Sequence, residues 1–446
     1  MNKTARLPWF LALAAVLACV GLRGWMWRDH APQALLMDEW CYLQTAQWFF
    51  DTGEIDTIAR GPAYPVFLAA MFRLLPLDLL RATYASQIFL AAICTLLLFV
   101  LGRRYFGVAA GLIAAGLFAL DPTMAAYSLF VFNEQLFLAL MLIGTLVYLS
   151  ALERGSLVWI AIAGIVFGVA TLTRGQTVLT APFLLAWIIL ALRRRASNDA
   201  EPPATQRSRL RAALAFTLCW AAVVLPWSAR NQAKFGTFLL VDATAARTLW
   251  HANRIPFRVS FSWPFGRYME NPINGPMPSE ADDAARDHGA LLRQELRFAA
   301  DHPGLILRRI PEKWGALWNP TSFLQLHLYQ HGFTGWEKGS HAAQRVSLIT
   351  TIAYALTMLP AAAGLCFGRP SNRLWTFILI QLLVTMAVHA LMVSQSRYRV
   401  PLMPYVMLLA GYAWTAPFRA LAERRRAAGG GEETSGGGSR DASGSG

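Results

Sequence analysis

Long apolar runs separated by short polar clusters dominate the chain, and ten of them read as membrane-spanning helices. They cover residues 7–22, 82–102, 105–120, 122–152, 155–173, 175–192, 212–229, 346–368, 374–396 and 400–418. A hydrocarbon core needs roughly 18 or more apolar residues per helix, and only helices satisfy their own backbone polar groups in lipid. The fourth run carries a single charge, Glu134. Two long polar segments interrupt the pattern, residues 23–81 and 230–345, and every other connection is short.

Inside the first long segment, positions 38–50 have helical spacing, with Trp40, Leu43, Ala46 and Phe50 as an apolar stripe. This stretch is too polar to span and too amphipathic for a linker, so it predicts a helix lying in the membrane interface. A turn at 51–56 follows. Arg60-Gly-Pro62 then opens a second interfacial helix running to about residue 75, with Pro62 suited to a first-turn position. The second long segment predicts a solvent-facing helix over 279–301. It also predicts a helix over 303–318 whose basic and aromatic residues suit lipid headgroups.

Composition agrees with this reading. Of the 446 residues 55% are apolar and only 15% are charged, against roughly 25% charged in soluble domains. The net charge of +14 raises the question of nucleic acid, but its distribution answers a different one. Lys3, Arg6, Arg103, Arg104, Arg154, Arg193, Arg194, Arg195, Arg369, Arg373 and Arg424 all fall on one side when the N-terminus is cytoplasmic. The short connections on the other side hold only Arg174, Arg397 and Arg399. That asymmetry predicts a multi-pass protein of a cell (inner) membrane with both termini cytoplasmic, its partner being membrane lipid and not nucleic acid. The start resembles a signal peptide, yet an uncleaved first span is what keeps the charge topology consistent. The five cysteines form no disulfide framework or metal cluster. The link 193–211 is polar and the tail 427–446 is Gly/Ser-rich, which predicts disorder for the tail after a membrane domain over 1–426.

Candidate chemistry lies on the side opposite the arginine-rich loops. Asp38 and Glu39 could supply a carboxylate that takes a proton from an attacking hydroxyl, with Tyr42 one turn on from Asp38 on the same face. The same two acids equally suit the start of a helix, where the dipole favours them. Arg60 with Arg397-Tyr398-Arg399 forms a cationic set that suits a phosphate monoester, because guanidinium pairs bidentately with phosphate. Snorkelling at span ends is the plain alternative for these arginines. Glu134 opens the fourth span and faces either a substrate or Arg174. Arg230, Asn231 and His251 are further polar candidates in the second long segment.

The chain resembles the C-class membrane glycosyltransferases (GT-C), in the branch of the dolichyl-phosphate-mannose protein mannosyltransferases and the lipid A aminoarabinose transferase. The resemblance rests on Asp38-Glu39, residues 60–68, Asn133-Glu134, residues 163–174, Pro226-Trp227 with Arg230-Asn231, and residues 397–401, in that order. It implies an all-α GT-C fold and a polyprenyl-phosphate sugar donor. It further implies an inverting transfer of hexose or pentose to an acceptor hydroxyl, with Asp38 as base and Glu39 its acidic neighbour. Arg60, Arg397 and Arg399 would then hold the lipid phosphate, and His251 falls near a position where some relatives ligate metal. Glycan, lipid and protein all remain open as acceptors. A single phosphate can be held by arginines alone, so no cofactor is required, though a divalent metal is compatible with the chemistry. A membrane transporter or lipid flippase is the competing class. It would string the ionisable residues across the midplane instead of gathering them at one surface cavity.

Overall fold

Helix is the regular structure that such apolar runs form. The computed structural model describes residues 3–35, 37–198, 206–254, 288–368 and 372–417. In chain order the helices are α1 Lys3–Asp29, α2 Met37–Thr52, α3 Ala63–Leu74, α4 Leu79–Tyr105, α5 Val108–Leu120 and α6 Pro122–Ala126. Next come α7 Glu134–Arg154, α8 Leu157–Thr173, α9 Thr177–Asn198, α10 Gln206–Phe235 and α11 Thr244–Arg254. After the undescribed 255–287 follow α12 His288–Asp301, α13 Pro303–Leu317, α14 Phe323–Gln330, α15 His341–Phe367 and α16 Arg373–Leu391. A 3₁₀ turn, Ser396–Leu402, then leads into α17 Met403–Trp414. No strand occurs among the described residues; an isolated bridge from Pro32 to Phe333 joins the two long segments, and another ties Phe333 to Trp336 within the second.

The fold is therefore an all-α polytopic membrane protein, with a helix at each of the ten expected spans. Six of these helices are long and apolar enough to cross a bilayer by length and composition alone: Arg6–Asp29, Leu79–Tyr105, Glu134–Arg154, Ser208–Phe235, His341–Phe367 and Arg373–Leu391. Of the remaining four, α5, α8 and α17 are shorter, and α9 is apolar only over Thr177–Leu190. At 1.5 Å per residue, the 13 residues of α5 reach only about 20 Å.

The structure redraws two expected boundaries. The first span runs past Arg23, because that side chain is fully buried and bonded. It donates to the Ser128 hydroxyl and to the Cys19, Ala119 and Phe118 carbonyls. A charge whose donors all find acceptors can stay inside a helical bundle.

The expected 122–152 span is broken. Asp121 caps the short α6 by accepting from Met124 N at 2.8 Å, and α7 does not begin until Glu134. Residues 127–133 between them are buried yet not helical. Such backbone survives at depth only when protein groups satisfy it. Gln87 Nε2 donates to the carbonyls of Ser128 and Phe130, the latter at 2.9 Å. Glu39 Oε1 accepts from Val131 N at 2.7 Å, and Asn133 Nδ2 donates to Thr173 O.

In the first long segment α2 and α3 pack together, Tyr42 meeting Tyr64 edge-on at 5.1 Å and Phe50 meeting Phe72 at 6.4 Å. The expected stripe on α2 is divided. Leu43 and Ala46 turn into the bundle while Trp40, Trp48 and Phe50 stay exposed, as a helix lying along an interface requires. In the second segment α12 is not simply solvent-facing. Leu291 closes a small cluster with Ala246 and Trp250 of α11. α13 divides its basic residues: Arg308 is exposed, while Arg309 and Lys313 are buried, Lys313 Nζ donating to Asn253 and to the Ala390 and Leu391 carbonyls at the end of α16. Residues 279–287, 199–205 of the link and the 427–446 tail lie outside the described residues.

Small residues let the central helices touch. Gly102 of α4 and Gly111 of α5 face each other in backbone contact, and Gly411 of α17 lies against the Ala110 carbonyl. In lipid, close packing of this kind is a main source of helix association. Gly411→Val should push α17 off α5 and cost about 1–3 kcal/mol, the usual range for overpacking. Gly116→Ala, with nothing within 4 Å of the new methyl, should be silent. Thermal unfolding of the two variants in detergent checks the contrast.

Candidate active site

Five separate parts of the chain bring charge to one place. Asp38 lies in the first turn of α2, where the helix dipole favours an acid. Arg60 lies in the connection to α3. Glu134 is the first residue of α7, and Arg397 sits in the 3₁₀ turn after α16. Arg60 Nη2 donates to Asp38 Oδ1 at 2.5 Å, and Arg397 Nη1 donates to Asp38 Oδ2 at 3.0 Å. Arg397 Nε reaches on to Glu134 Oε1 at 2.8 Å. Arg174, the residue that ends α8, pairs with the same Glu134 oxygen at 3.1 Å. The result is a continuous chain, Arg60–Asp38–Arg397–Glu134–Arg174, in which three cations meet two anions.

Exposure is graded along it. Glu134 is fully buried and Arg174 and Arg397 keep 13% of their side chains exposed, whereas Asp38 keeps 41%. The buried end anchors and the exposed end is open to a substrate. Aromatic faces complete the setting. Arg397 lies 3.7 Å over the Phe132 ring, supplied by the buried 127–133 stretch, and Arg60 lies 5.9 Å over Tyr42.

Electrostatics follow from this geometry. Burial alone would raise the Asp38 carboxyl, but Arg397 and Arg60 outweigh it and hold the group below the usual aspartate value. Burial pushes Tyr42 up to about 12 against the opposing charge of Arg60, so the phenol stays protonated near neutrality. Arg60 is held firmly charged: burial works against it, while Tyr42, Asp38 and then Asp242 favour the cation. An ionised carboxylate at a wet opening, flanked by guanidiniums, can accept a proton and attract an anion at one point.

The other sequence candidates lie differently. Glu39 turns away from Asp38, since successive helical residues face about 100° apart, and serves the Val131 amide. Arg399 is two residues from Arg397, but a turn of three residues sends it to another side. There it donates to the Leu317 and Asn319 carbonyls and lies 4.4 Å over Tyr354. Tyr398 stacks on His389 at 5.2 Å. Arg230 lies over Trp227 at 4.4 Å and donates to Asn231 Oδ1, while Asn231 donates to the Leu239 carbonyl. His251 is on α11, edge-on to Trp250, and burial lowers it to about 4. No group of three or more His, Cys, Asp or Glu side chains that could hold a metal occurs among the described residues. Phe132 escaped sequence reasoning because an aromatic in an apolar run looks like any other core residue.

Residues 59–228 match the family model described as dolichyl-phosphate-mannose-protein mannosyltransferase. No curated protein matches the chain significantly. Among solved structures, the Archaeoglobus fulgidus oligosaccharyltransferase in its apo form is similar, with TM-score 0.57, 15% identity, and coverage of 98% of this chain and 53% of that one. The archaeal oligosaccharyltransferase AglB from the same organism, in complex with an inhibitory peptide and a dolichol-phosphate, gives TM-score 0.56, 14% identity, and coverage of 99% and 53%. ArnT from Cupriavidus metallidurans, bound to undecaprenyl phosphate, gives TM-score 0.40 and 15% identity over 93% and 78%. The chain spans about half the length of the oligosaccharyltransferases. The chain thus has the fold of the Archaeoglobus fulgidus oligosaccharyltransferase, and its residues 59–228 match the dolichyl-phosphate-mannose-protein mannosyltransferase family model.

Proposed function

We propose that this protein is an inverting glycosyltransferase that moves a sugar from a polyprenyl-phosphate donor to an acceptor hydroxyl at the outer face of a cell membrane. The observation that carries the reading is Asp38 with each carboxylate oxygen on a different guanidinium, at the open end of the ion-pair chain. The positive-inside bias supports the outer placement, since it puts the Asp38 side opposite the arginine-rich loops. The dolichol-phosphate in the complex of the fold neighbour AglB supports a lipid-phosphate ligand.

In this mechanism the donor phosphate takes up Arg60 and Arg397, and the acceptor hydroxyl approaches Asp38. The hydroxyl oxygen attacks the anomeric carbon while Asp38 accepts its proton. The bond between that carbon and the phosphate oxygen breaks, and its electron pair leaves with the polyprenyl phosphate. The guanidiniums stabilise the charge that develops there, as preorganised donors do. Glu134 and Arg174 touch neither reacting atom and hold Arg397 in place. A transporter or flippase fits less well, because the charges converge at one end of the bundle instead of lining a path across it.

Asp38→Asn should lower transfer by at least about a hundredfold, the scale of a lost general base, while binding of a polyprenyl phosphate persists. A transfer assay beside a lipid-binding assay checks both parts, and full activity in the variant would remove Asp38 from the mechanism. Glu134→Gln should destabilise the protein by about 3–5 kcal/mol, because it leaves buried Arg397 and Arg174 short of a counter-charge. Thermal unfolding measures that loss. For pH, the depressed Asp38 contributes stability that is fully present above the ordinary aspartate value and is lost as pH falls through its lower folded-state value. The stability gap between the wild type and Asp38→Asn should therefore hold from neutrality to about pH 5 and shrink toward about pH 3. Unfolding scans across that range read it directly.

A further inference from the structure

The connection that carries Arg60 has little structure of its own. Residues 53–62, between α2 and α3, are not helical, so other elements must fix the point from which the guanidinium reaches out. The connection after α10 supplies several contacts. Ala243 N donates to Ile58 O at 2.9 Å, and Ile58 packs with Leu239 and Ala243 against Phe235. Lys234 Nζ adds a pair with Glu54 at 3.1 Å, exposed and so worth little. The tightest contact is at Gly61, which is buried. A methyl group built on it would lie 2.4 Å from the Leu172 carbonyl oxygen, in the last turn of α8, and 3.2 Å from Val241 Cγ1. Neither neighbour is free to retreat. Asn133 Nδ2 holds the adjoining Thr173 carbonyl at 2.8 Å, and Trp227 Nε1 holds the Val241 carbonyl at 2.7 Å. Only a residue without a side chain admits so close a backbone approach.

Leu172 lies two residues before Arg174, the far end of the ion-pair chain. The contact at Gly61 therefore closes that chain into a ring. Side chains link Arg60, Asp38, Arg397, Glu134 and Arg174, and backbone against backbone at Gly61 and Leu172 joins the two ends. We propose that Gly61 is a positioning residue for the transfer: it seats the Arg60 backbone on α8 and so sets the spacing of Arg60 and Arg397 across Asp38. The inference rests on the reading of Arg60 as a ligand of the donor phosphate. An ordinary C···O contact is about 3.3 Å, so a methyl at position 61 displaces the Arg60 backbone by about 1 Å. A misplacement of that size, away from the reacting atoms, can cost about a hundredfold in rate. Gly61 itself touches no reacting atom and acts through Arg60.

The test measures binding of a bare polyprenyl phosphate to the full chain in lipid nanodiscs, as a double-mutant cycle of Gly61→Ala with Arg60→Gln. Gly61→Ala alone should weaken binding roughly tenfold, the scale of one lost hydrogen bond to a charged group. With Arg60→Gln already present it should weaken binding no further, because the group it displaces is gone. Ile58→Ala loosens the same connection by removing packing and adds no clash. It should show a smaller loss with the same dependence on Arg60, and it carries the test if Gly61→Ala does not fold. Gly175→Ala brings a methyl to Val241 at an ordinary 3.7 Å and should bind like the wild type. An equal loss with and without Arg60 is a general loosening of the fold and overturns the assignment. Wild-type affinity in Gly61→Ala overturns it as well. If Arg60→Gln alone leaves binding unchanged, the phosphate reading of Arg60 falls, and the positioning role falls with it.

Discussion

Arg397 is held between two carboxylates, and that arrangement governs the site. A guanidinium with 13% of its side chain exposed needs counter-charge and acceptors, or its desolvation would expel it from the bundle. Asp38 supplies one partner from the first long segment, Glu134 the other from the start of α7, and Phe132 supplies a π-face beneath. Elements up to 359 residues apart in sequence are fixed against one another by this one side chain. It also leaves three cations against two anions, so the cluster as a whole attracts a further negative charge.

The position of Glu134 depends in turn on the broken span. Had residues 122–152 formed one helix, Phe132 and Glu134 would have followed helical spacing through the membrane. Instead the buried 127–133 stretch resets the start of α7. Its backbone is satisfied by Gln87 and Glu39, the Asn133 side chain ties it to the Thr173 carbonyl, and Arg23 holds the Ser128 hydroxyl. Glu39 thereby gains a clear physical role. It neighbours the base in sequence, but its own work is to accept a buried amide.

Much of this was legible in the sequence, and the failures have physical causes. Hydropathy located a helix at all ten spans, and the charge asymmetry put Asp38, Arg60 and Arg397 on one side before any geometry was known. Arg23 was misread as a span end because hydropathy counts a charge without asking whether acceptors surround it. The break at 127–133 carries no glycine or proline, only Tyr-Ser-Leu-Phe-Val-Phe-Asn, so nothing local announced it. Arg397 and Arg399 look equivalent on paper. The three-residue turn that sends them to different sides is set by packing against α13 and Tyr354, which spacing alone does not reveal.

The central claim is that the guanidiniums now on Asp38 are the ones that receive the donor phosphate. A cryo-EM structure of the full chain in nanodiscs with a polyprenyl phosphate bound tests it most directly. The account predicts the phosphate within hydrogen-bonding distance of Arg60 and Arg397, with an Asp38 oxygen released to the opening. A phosphate lodged elsewhere, with both Asp38 ion pairs intact, would contradict it.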